Sequence, residues 1–453
     1  MLGQEKAFKI MEEALKHSRA DQTELVIMGH EHFLTRYANS QIHQNMAEEN
    51  ATLFIKSIVG KKIGVSTINN FHPRKVARAV ENTYEAALKQ EEVKDFNGLP
   101  GRIEIPAVST FVPRTLEINP EEKALIVQDM IARTHGDRMT LSGAFYTGAS
   151  ETAVMNSNGV RAYHICTKAN ITTLTASKDT SGYAAGSSRD VDKLDYIRLV
   201  EEALESAGAY NEITTLPPGE YPVILEEYAV ADLLLYLAFM GMTADSVEDG
   251  HSFITPHAGK KIFKKDISIY DDGLNPDTFM IPFDYEGVPK RRTEFIKEGI
   301  VTGEYTQNTY TAGREGKEST GHALPPGAGL SATLPSNLFM EAGNKTNEEM
   351  MKQMGTGILI KRFHYLTEVH PLKTIVSGMT RDGVFRVENG EITARVTNMR
   401  FTQSIIEAFK HIKSISSNRK LIWFREYTLD FPITLVIPRL YIDKFNFTGQ
   451  TEF

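Results

Sequence analysis

The sequence predicts an α+β protein of two domains. A mixed α/β unit covers residues 1–213, and a β-rich unit built as a mostly antiparallel sheet or open barrel covers residues 214–453. Three observations predict it. The first half alternates helical and strand periodicities. The stretch Thr214-Thr215-Leu216-Pro217-Pro218-Gly219-Glu220 then breaks any helix, because two prolines and a glycine cannot continue one. Beyond it the strand-like runs dominate, interrupted by one long apolar segment at 229–242.

The elements follow in order. Phe8, Ile10, Met11 and Leu15 give residues 1–17 one apolar face amid charged residues, an amphipathic helix rather than a signal peptide. Strand patterns follow at 23–28, 33–37, 51–59 and 62–66, with Gly60-Lys61 as a tight hairpin turn because glycine tolerates positive φ. Val76, Ala77, Val80, Tyr84 and Ala87 place a helix over 73–89. A loop with Pro100, Pro106 and Pro113 leads to a helix at 120–134, capped by Asn119 with Pro120 at its first position. Strands at 141–150 and 151–156, an Asn158-Gly159 turn, a return over 160–176 and a helix over 191–207 complete the first half. The second half reads as strands at 221–225, 266–270 and 299–307, a helix at 228–242, and strands over nearly all residues after 358.

Composition removes several function classes. A chain of 453 residues, 41% hydrophobic and 24% charged, has ample material for two cores without disulfide or metal staples. A net charge of −8 argues against a wide nucleic-acid interface, which needs clustered Lys and Arg to displace counterions. Cys166 is the only cysteine, so neither an intrachain disulfide nor a Cys-rich zinc site is available, and its strand-like setting predicts an inert core thiol. The apolar run at 229–242 contains Asp232 and is shorter than the ~20 residues of a membrane span. A cytoplasmic protein is expected.

The polar constellations are weak individually. His251 and His257, and likewise His364 and His370, are six residues apart, a spacing that points two side chains away from a shared metal on a helix and separates them by ~20 Å on a strand. His30-Glu31-His32 places two imidazoles on one side of a strand, but after Gly29 it reads as a polar hairpin end. The stretch from Gly313 to Thr320 lacks phosphate-loop spacing and reads as a flexible lid or rim with Gly313, Gly316, Gly321, Gly327 and Gly329. Asp271-Asp272-Gly273 reads as a turn between strands, with too few oxygens for calcium. Arg381 and Asp382 flank an apparent turn at Gly383, where they form an ion pair or clamp or anchor a peptide carboxylate.

Five segments, in order along almost the whole chain, carry a family resemblance. They are Arg36-Tyr37-Ala38-Asn39-Ser40-Gln41-Ile42-His43-Gln44-Asn45, Asn156-Ser157-Asn158-Gly159, Leu216-Pro217-Pro218-Gly219-Glu220-Tyr221-Pro222-Val223, Ser319-Thr320-Gly321-His322-Ala323, and Ser377-Gly378-Met379-Thr380-Arg381-Asp382-Gly383-Val384-Phe385 with Glu388-Asn389-Gly390-Glu391-Ile392. Together they resemble the TldD/PmbA proteins, also called TldD/TldE and once labelled modulators of DNA gyrase. The resemblance implies a two-domain α+β fold and a cytoplasmic dimer around a protected chamber. In its active branch it implies a zinc peptidase acting on unfolded or leader-bearing peptides.

That branch carries His-Glu-x-x-x-His on the helix corresponding to 228–241. Anchored on Met240-Gly241 and Ser252-Phe253, Leu235 and Met240 fall roughly at the histidine positions, and the segment from Lys420 onward has no cysteine to match the branch's third ligand. The pattern resembles the PmbA/TldE branch: no catalytic residue, no metal ligand and no cofactor in this chain, with zinc expected in a TldD-like partner. His251, His322, Arg381 and Asp382 are the peptide-binding candidates, and β-strand addition to an exposed sheet edge is the expected mode. Two rivals are a self-sufficient hydrolase recruiting His251, His322 or His364, and a homodimeric peptide-binding module.

Overall fold

The computed structural model describes residues 1–134, 139–208, 212–426 and 431–451. Among them, β1 (Gln22–Ala38), β2 (Gln41–Val59), β3 (Lys62–Ile68), β4 (Thr140–Asn156), β5 (Arg161–Ala176) and β6 (Ser181–Ser188) form one antiparallel sheet, ordered β3-β2-β1-β4-β5-β6. Five helices accompany it: α1 (Gln4–Lys16), α2 (Pro73–Leu88), α3 (Pro113–Glu117), α4 (Pro120–Thr134) and α5 (Tyr196–Gly208). The period of two along each strand gives the sheet two kinds of face. Leu25, Ile27, Leu53, Ile55, Ala153 and Met155 point outward to α1 and α2. Phe145, Ala169 and Ile171 meet α4 and α5 on the same side. Val26 and Val154 point inward and join the core of the second domain.

That second domain runs β7 (Ile213–Thr214), β8 (Gly219–Leu225), α6 (Glu227–Gly241), α7 (Ala244–Glu248), α8 (Ile254–His257), β9 (Ile269–Asp271), β10 (Thr293–Lys297), β11 (Ile300–Val301) and α9 (Thr309–Arg314). It continues through β12 (Asn337–Met340), α10 (Asn347–Met354), β13 (Gly357–His370), β14 (Ile375–Glu388), β15 (Glu391–Val396), β16 (Met399–Ser404), α11 (Ile405–Lys410), β17 (Ile412–Glu426) and β18 (Phe431–Gln450). The twelve strands described here form one mixed, mostly antiparallel sheet. Because β16 pairs with both β14 and β18, strands β18-β8-β13-β14-β16 close into a ring. Phe363, Phe401 and Phe445 come together from three of its strands, with ring centroids 4.5–5.8 Å apart. No helix among the described residues is long and apolar enough to cross a membrane.

Several expectations hold in detail. Gly60-Lys61 links β2 to β3, with Val59 opposite Lys62. The Asn119 side chain accepts from the Glu122 backbone N–H at 2.7 Å, capping α4. Others need correction. Residues 23–37 are one strand, not two, and so are 141–156. His30 and His32 are not a hairpin end: they stack at 4.2 Å within β1, and His32 is buried against Tyr146. A Cβ at Gly29 beside them would stand 2.7 Å from the Glu151 carboxylate, so that side chain would have to shift. The expected helix at 191–207 splits into a 3-10 turn, Val191–Lys193, and α5, because Asp195 caps a fresh start by accepting from Arg198 N–H at 2.9 Å. The strand expected at 299–307 shrinks to β11, after which Thr302 turns back to donate its N–H to Phe295.

One buried cation is a measurable liability. Lys123 of α4 is 2% exposed, its ammonium donating to Phe33 O at 3.2 Å between the Phe33 and Phe145 rings. Desolvation pushes it down from 10.5 to about 7. The unfolded chain holds that proton to higher pH than the folded one, so this group's contribution to stability improves as pH rises from about 7 toward about 10. Lys123→Met should remove that slope and stabilise the protein by ~1–4 kcal/mol at pH ~6.5. Denaturant titrations at pH ~6.5 and ~9.5 check it, and an unstabilised variant at the lower pH would refute it.

Candidate functional site

Helix α6 forms the centre of the site. It is apolar around nearly its whole circumference, which is the signature of a helix buried on all sides. Leu233, Leu234, Leu237 and Ala238 are fully buried, and Leu235 and Met240 are 7% and 2% exposed. Its start is fixed by charge: Arg439 reaches Glu226 at 3.2 Å and Glu227 at 3.0 Å. Tyr228 ties it to the first sheet, donating its hydroxyl to Ala185 O at 2.9 Å and accepting from Ala185 N–H at 2.8 Å.

One stripe of α6 is different. Tyr228, Asp232 and Tyr236, at positions i, i+4 and i+8, face an interdomain cleft of about 620 Å³. The inner face of the first sheet forms the opposite wall through Tyr146, Asn170 and Tyr183, and β13 and β17 contribute Arg362, His364 and Trp423. The Arg362 guanidinium lies 4.3 Å from the Tyr183 ring centre and its Nε is 3.3 Å from Asp382. Burial raises the Asp232 carboxyl to about 7, against the opposing pull of Arg362 and the Phe363 backbone. Burial, then the Arg381 and Arg362 charges, lower His364 from its usual range. Near neutral pH the cleft therefore offers a fixed cation, a half-titrated carboxyl, a neutral imidazole and several phenols. This set can hydrogen-bond an extended polar chain or move one proton at Asp232.

The expected peptide-binding residues lie elsewhere, and none of the four lines this cleft. His251 is exposed after α7. His322 is fully buried: its Nε2–H donates to Asp271 at 2.9 Å, and Nδ1 lies 3.0 Å from the Thr320 hydroxyl. It is a structural residue, out of a ligand's reach. Asp271 is correspondingly no exposed turn residue but the buried end of β9. Arg381-Asp382-Gly383 is not a turn either. It lies inside β14 as a bulge, where the register against β13 shifts between Ile360 and Arg362. Asp382 and Gly383 take positive φ of 53° and 136° there, and Asp382 accepts from Ser181 at 2.6 Å. Its ion-pair partner is Arg362, not Arg381. The glycine-rich stretch around 313–329 is anchored rather than free as a lid, since Thr320 and Gln307 exchange hydrogen bonds and Ala323 N–H donates to Asp284 at 2.9 Å.

Cys166 is buried, and desolvation raises its thiol to about 11, which fits an inert core position. The cleft residues named above come from six separated elements, β4, β5, β6, α6, β13 and β17. The one local signal was the polar stripe on α6.

A peptidase zinc needs three protein ligands and an open position. The cleft-facing side of α6 supplies two phenols and one carboxyl, and no group of three or more His, Cys, Asp or Glu among the described residues is placed to hold a metal ion. The donor set present does not fit such a zinc.

A sequence model of the PmbA/TldA metallopeptidase C-terminal domain matches residues 218–449, just over half of the chain, and one of the family's central domain matches 113–209. The chain belongs to the PmbA/TldD metallopeptidase family. It is 24% identical over 230 residues to a metalloprotease of Methanocaldococcus jannaschii, covering 51% of this chain and 50% of that protein. It is 27% identical over 201 residues to metalloprotease PmbA of Escherichia coli O157:H7, covering 44% and 41%. The chain thus spans about half the length of these curated relatives. Among solved structures, TldE from Thermococcus kodakarensis superposes with a TM-score of 0.87 at 18% identity, covering 98% of this chain and all of that one. A Thermotoga maritima protein described as a candidate modulator of a DNA gyrase gives 0.85 at 19% identity, with 98% and 100% covered. These likenesses show a shared fold.

Proposed function

We propose that this chain is a non-catalytic, PmbA/TldE-like subunit. It assembles in the cytoplasm with a zinc-bearing, TldD-like peptidase chain and helps it enclose unfolded or leader-bearing peptides. The observation that carries this reading is α6: its cleft-facing stripe is Tyr228, Asp232 and Tyr236, and Leu235 and Met240 are packed in the core. Assembly is supported by large apolar side chains left exposed on the second domain, Phe239, Tyr365 (75%), Val369 and Leu372. The end of β13 and the turn after it carry three of them, and α6 packs against that turn. A peptide would lie in the cleft between Arg362, Asp232 and the aromatic walls.

Affinity capture of the chain from its native cell, followed by metal analysis, tests this reading. The expected result is a TldD-like companion carrying zinc, with the purified chain alone zinc-free and inactive on an unfolded peptide. A pure homodimer would favour the peptide-binding module. Stoichiometric zinc and cleavage by the isolated chain would overturn the proposal. Cleavage without zinc would favour the self-sufficient hydrolase, with Asp232 as the first group to substitute.

A further inference from the structure

A second cavity, about 300 Å³, lies on the same inner face of the first sheet. Trp423 lines the α6 cleft, and its ring meets that of Phe279, which lines this cavity, at 5.4 Å. The floor is β5, which turns His164, Cys166 and Lys168 inward at alternate positions, beside Ser150 of β4. The His30–Glu48 pair lines it too, with Glu48 about half exposed at the mouth.

Lys168 is the anomaly. It is 1% exposed, and its ammonium donates to the Ser150 hydroxyl at 2.6 Å and lies 5.9 Å from the Trp423 ring centre. Three other lysines are also buried, and each has an evident resolution. Lys56 reaches Glu24 at 2.6 Å, Lys290 is held beside Asp271, and the Lys123 ammonium is pushed down to about 7, where it loses its charge. Among the described residues no carboxylate lies within ion-pair distance of Lys168. An ammonium carries three donors and Ser150 takes one, so a desolvated cation faces a cavity with donor capacity to spare.

A second observation points the same way. His164 Nε2 is buried and has no hydrogen-bond partner among the described residues, although the residue lines the cavity. Burial lowers this imidazole to about 4, so it is neutral at physiological pH and offers a polar contact without a charge. A buried cation and an unmatched polar nitrogen on one floor, under the apolar cover of Phe279 and Ile281, match the make-up of a small-ligand site.

We propose that this cavity binds a small carboxylate ligand of the N-acylated amino acid type, its carboxylate paired with Lys168 and its adjoining amide within reach of His164. The free C-terminus of a peptide and a small acylated metabolite share that chemistry. The site is intrinsic to this chain, so it stands or falls independently of any peptidase partner.

The chain has a single tryptophan, Trp423, which makes its intrinsic fluorescence a local reporter. The purified full chain is titrated with N-acetylglycine, N-acetylglycinamide, a short peptide with a free C-terminus, and inorganic phosphate. The expected result is a saturable change with N-acetylglycine and none with its amide, weakened roughly tenfold or more in Lys168→Met. A matching response to the peptide identifies a chain terminus as the source, and its absence leaves the small metabolite. No saturable response to the acid, an equal response to the amide, or a response to phosphate alone each overturns the proposal. If Lys168→Met does not fold, the contrast between acid and amide on the unaltered chain still decides.

Discussion

Asp271→Ala should destabilise the protein by ~3–5 kcal/mol, among the largest effects of any single substitution away from the apolar core. Asp271 is fully buried and accepts from His322 at 2.9 Å and from the Asn337 backbone N–H at 2.6 Å. Lys290, then His322, hold its carboxyl down at about 2 against the cost of burial. Removing it leaves the Lys290 ammonium and a donor imidazole buried without their acceptor. The pH dependence carries a sign. Because the folded value lies below the unfolded value near 3.9, this contribution is complete above about pH 4 and is lost as pH falls toward about 2. Asp271→Ala should therefore weaken the protein at pH ~7 and flatten that part of its acid transition. Denaturant titrations of both proteins at several pH values measure this, and a loss below ~1 kcal/mol at pH ~7 would contradict the network described.

The second large effect concerns α6. Replacing Leu235 and Met240 together by histidine, at the positions the family resemblance suggests for zinc ligands, should unfold the second domain rather than create a metal site. Both side chains lie in the main apolar core. An imidazole buried there without a partner costs ~2–4 kcal/mol in desolvation and misfit. Two of them consume most of a typical stability of ~5–15 kcal/mol. The measurements are melting temperature and zinc content after purification. A well-folded variant holding one zinc per chain would show that these two residues can face the cleft and would reassign the helix face.

These two cases show what the sequence can reveal and what it cannot. The apolar identity and the extent of α6 follow from composition, because a helix with no polar face has to be buried. The Asn119 cap and the Gly60-Lys61 hairpin are equally local, and they appear where the residue types put them. The cleft is not local. Tyr183, Asp232, Arg362 and Trp423 are brought together by a fold that lays the first sheet against the second domain, and no spacing encodes that meeting. The same cause hid β1: the polar run His30-Glu31-His32 looked like a strand end because polar residues usually mark solvent, whereas here His30 lines the inner-face cavity and His32 is buried beside Tyr146. Asp271 and Arg381-Asp382-Gly383 misled for a related reason. Turn-forming residues also serve buried networks and bulges, and only long-range partners such as His322 and Arg362 decide between these roles.

Strand β18 has a consequence in time. The first sheet uses only residues 22–188, whereas β18 runs to residue 450 and sits between β12 and β8, deep inside the second sheet. At a synthesis rate of about 5–20 residues per second, the interval between completing the first sheet and supplying β18 is roughly a quarter of a minute to most of a minute. Throughout it, the inner face carrying Val26 and Val154 waits for its cover. A nascent chain caught in that interval is half folded with an apolar sheet face in water, the state in which chaperones and aggregation compete for it.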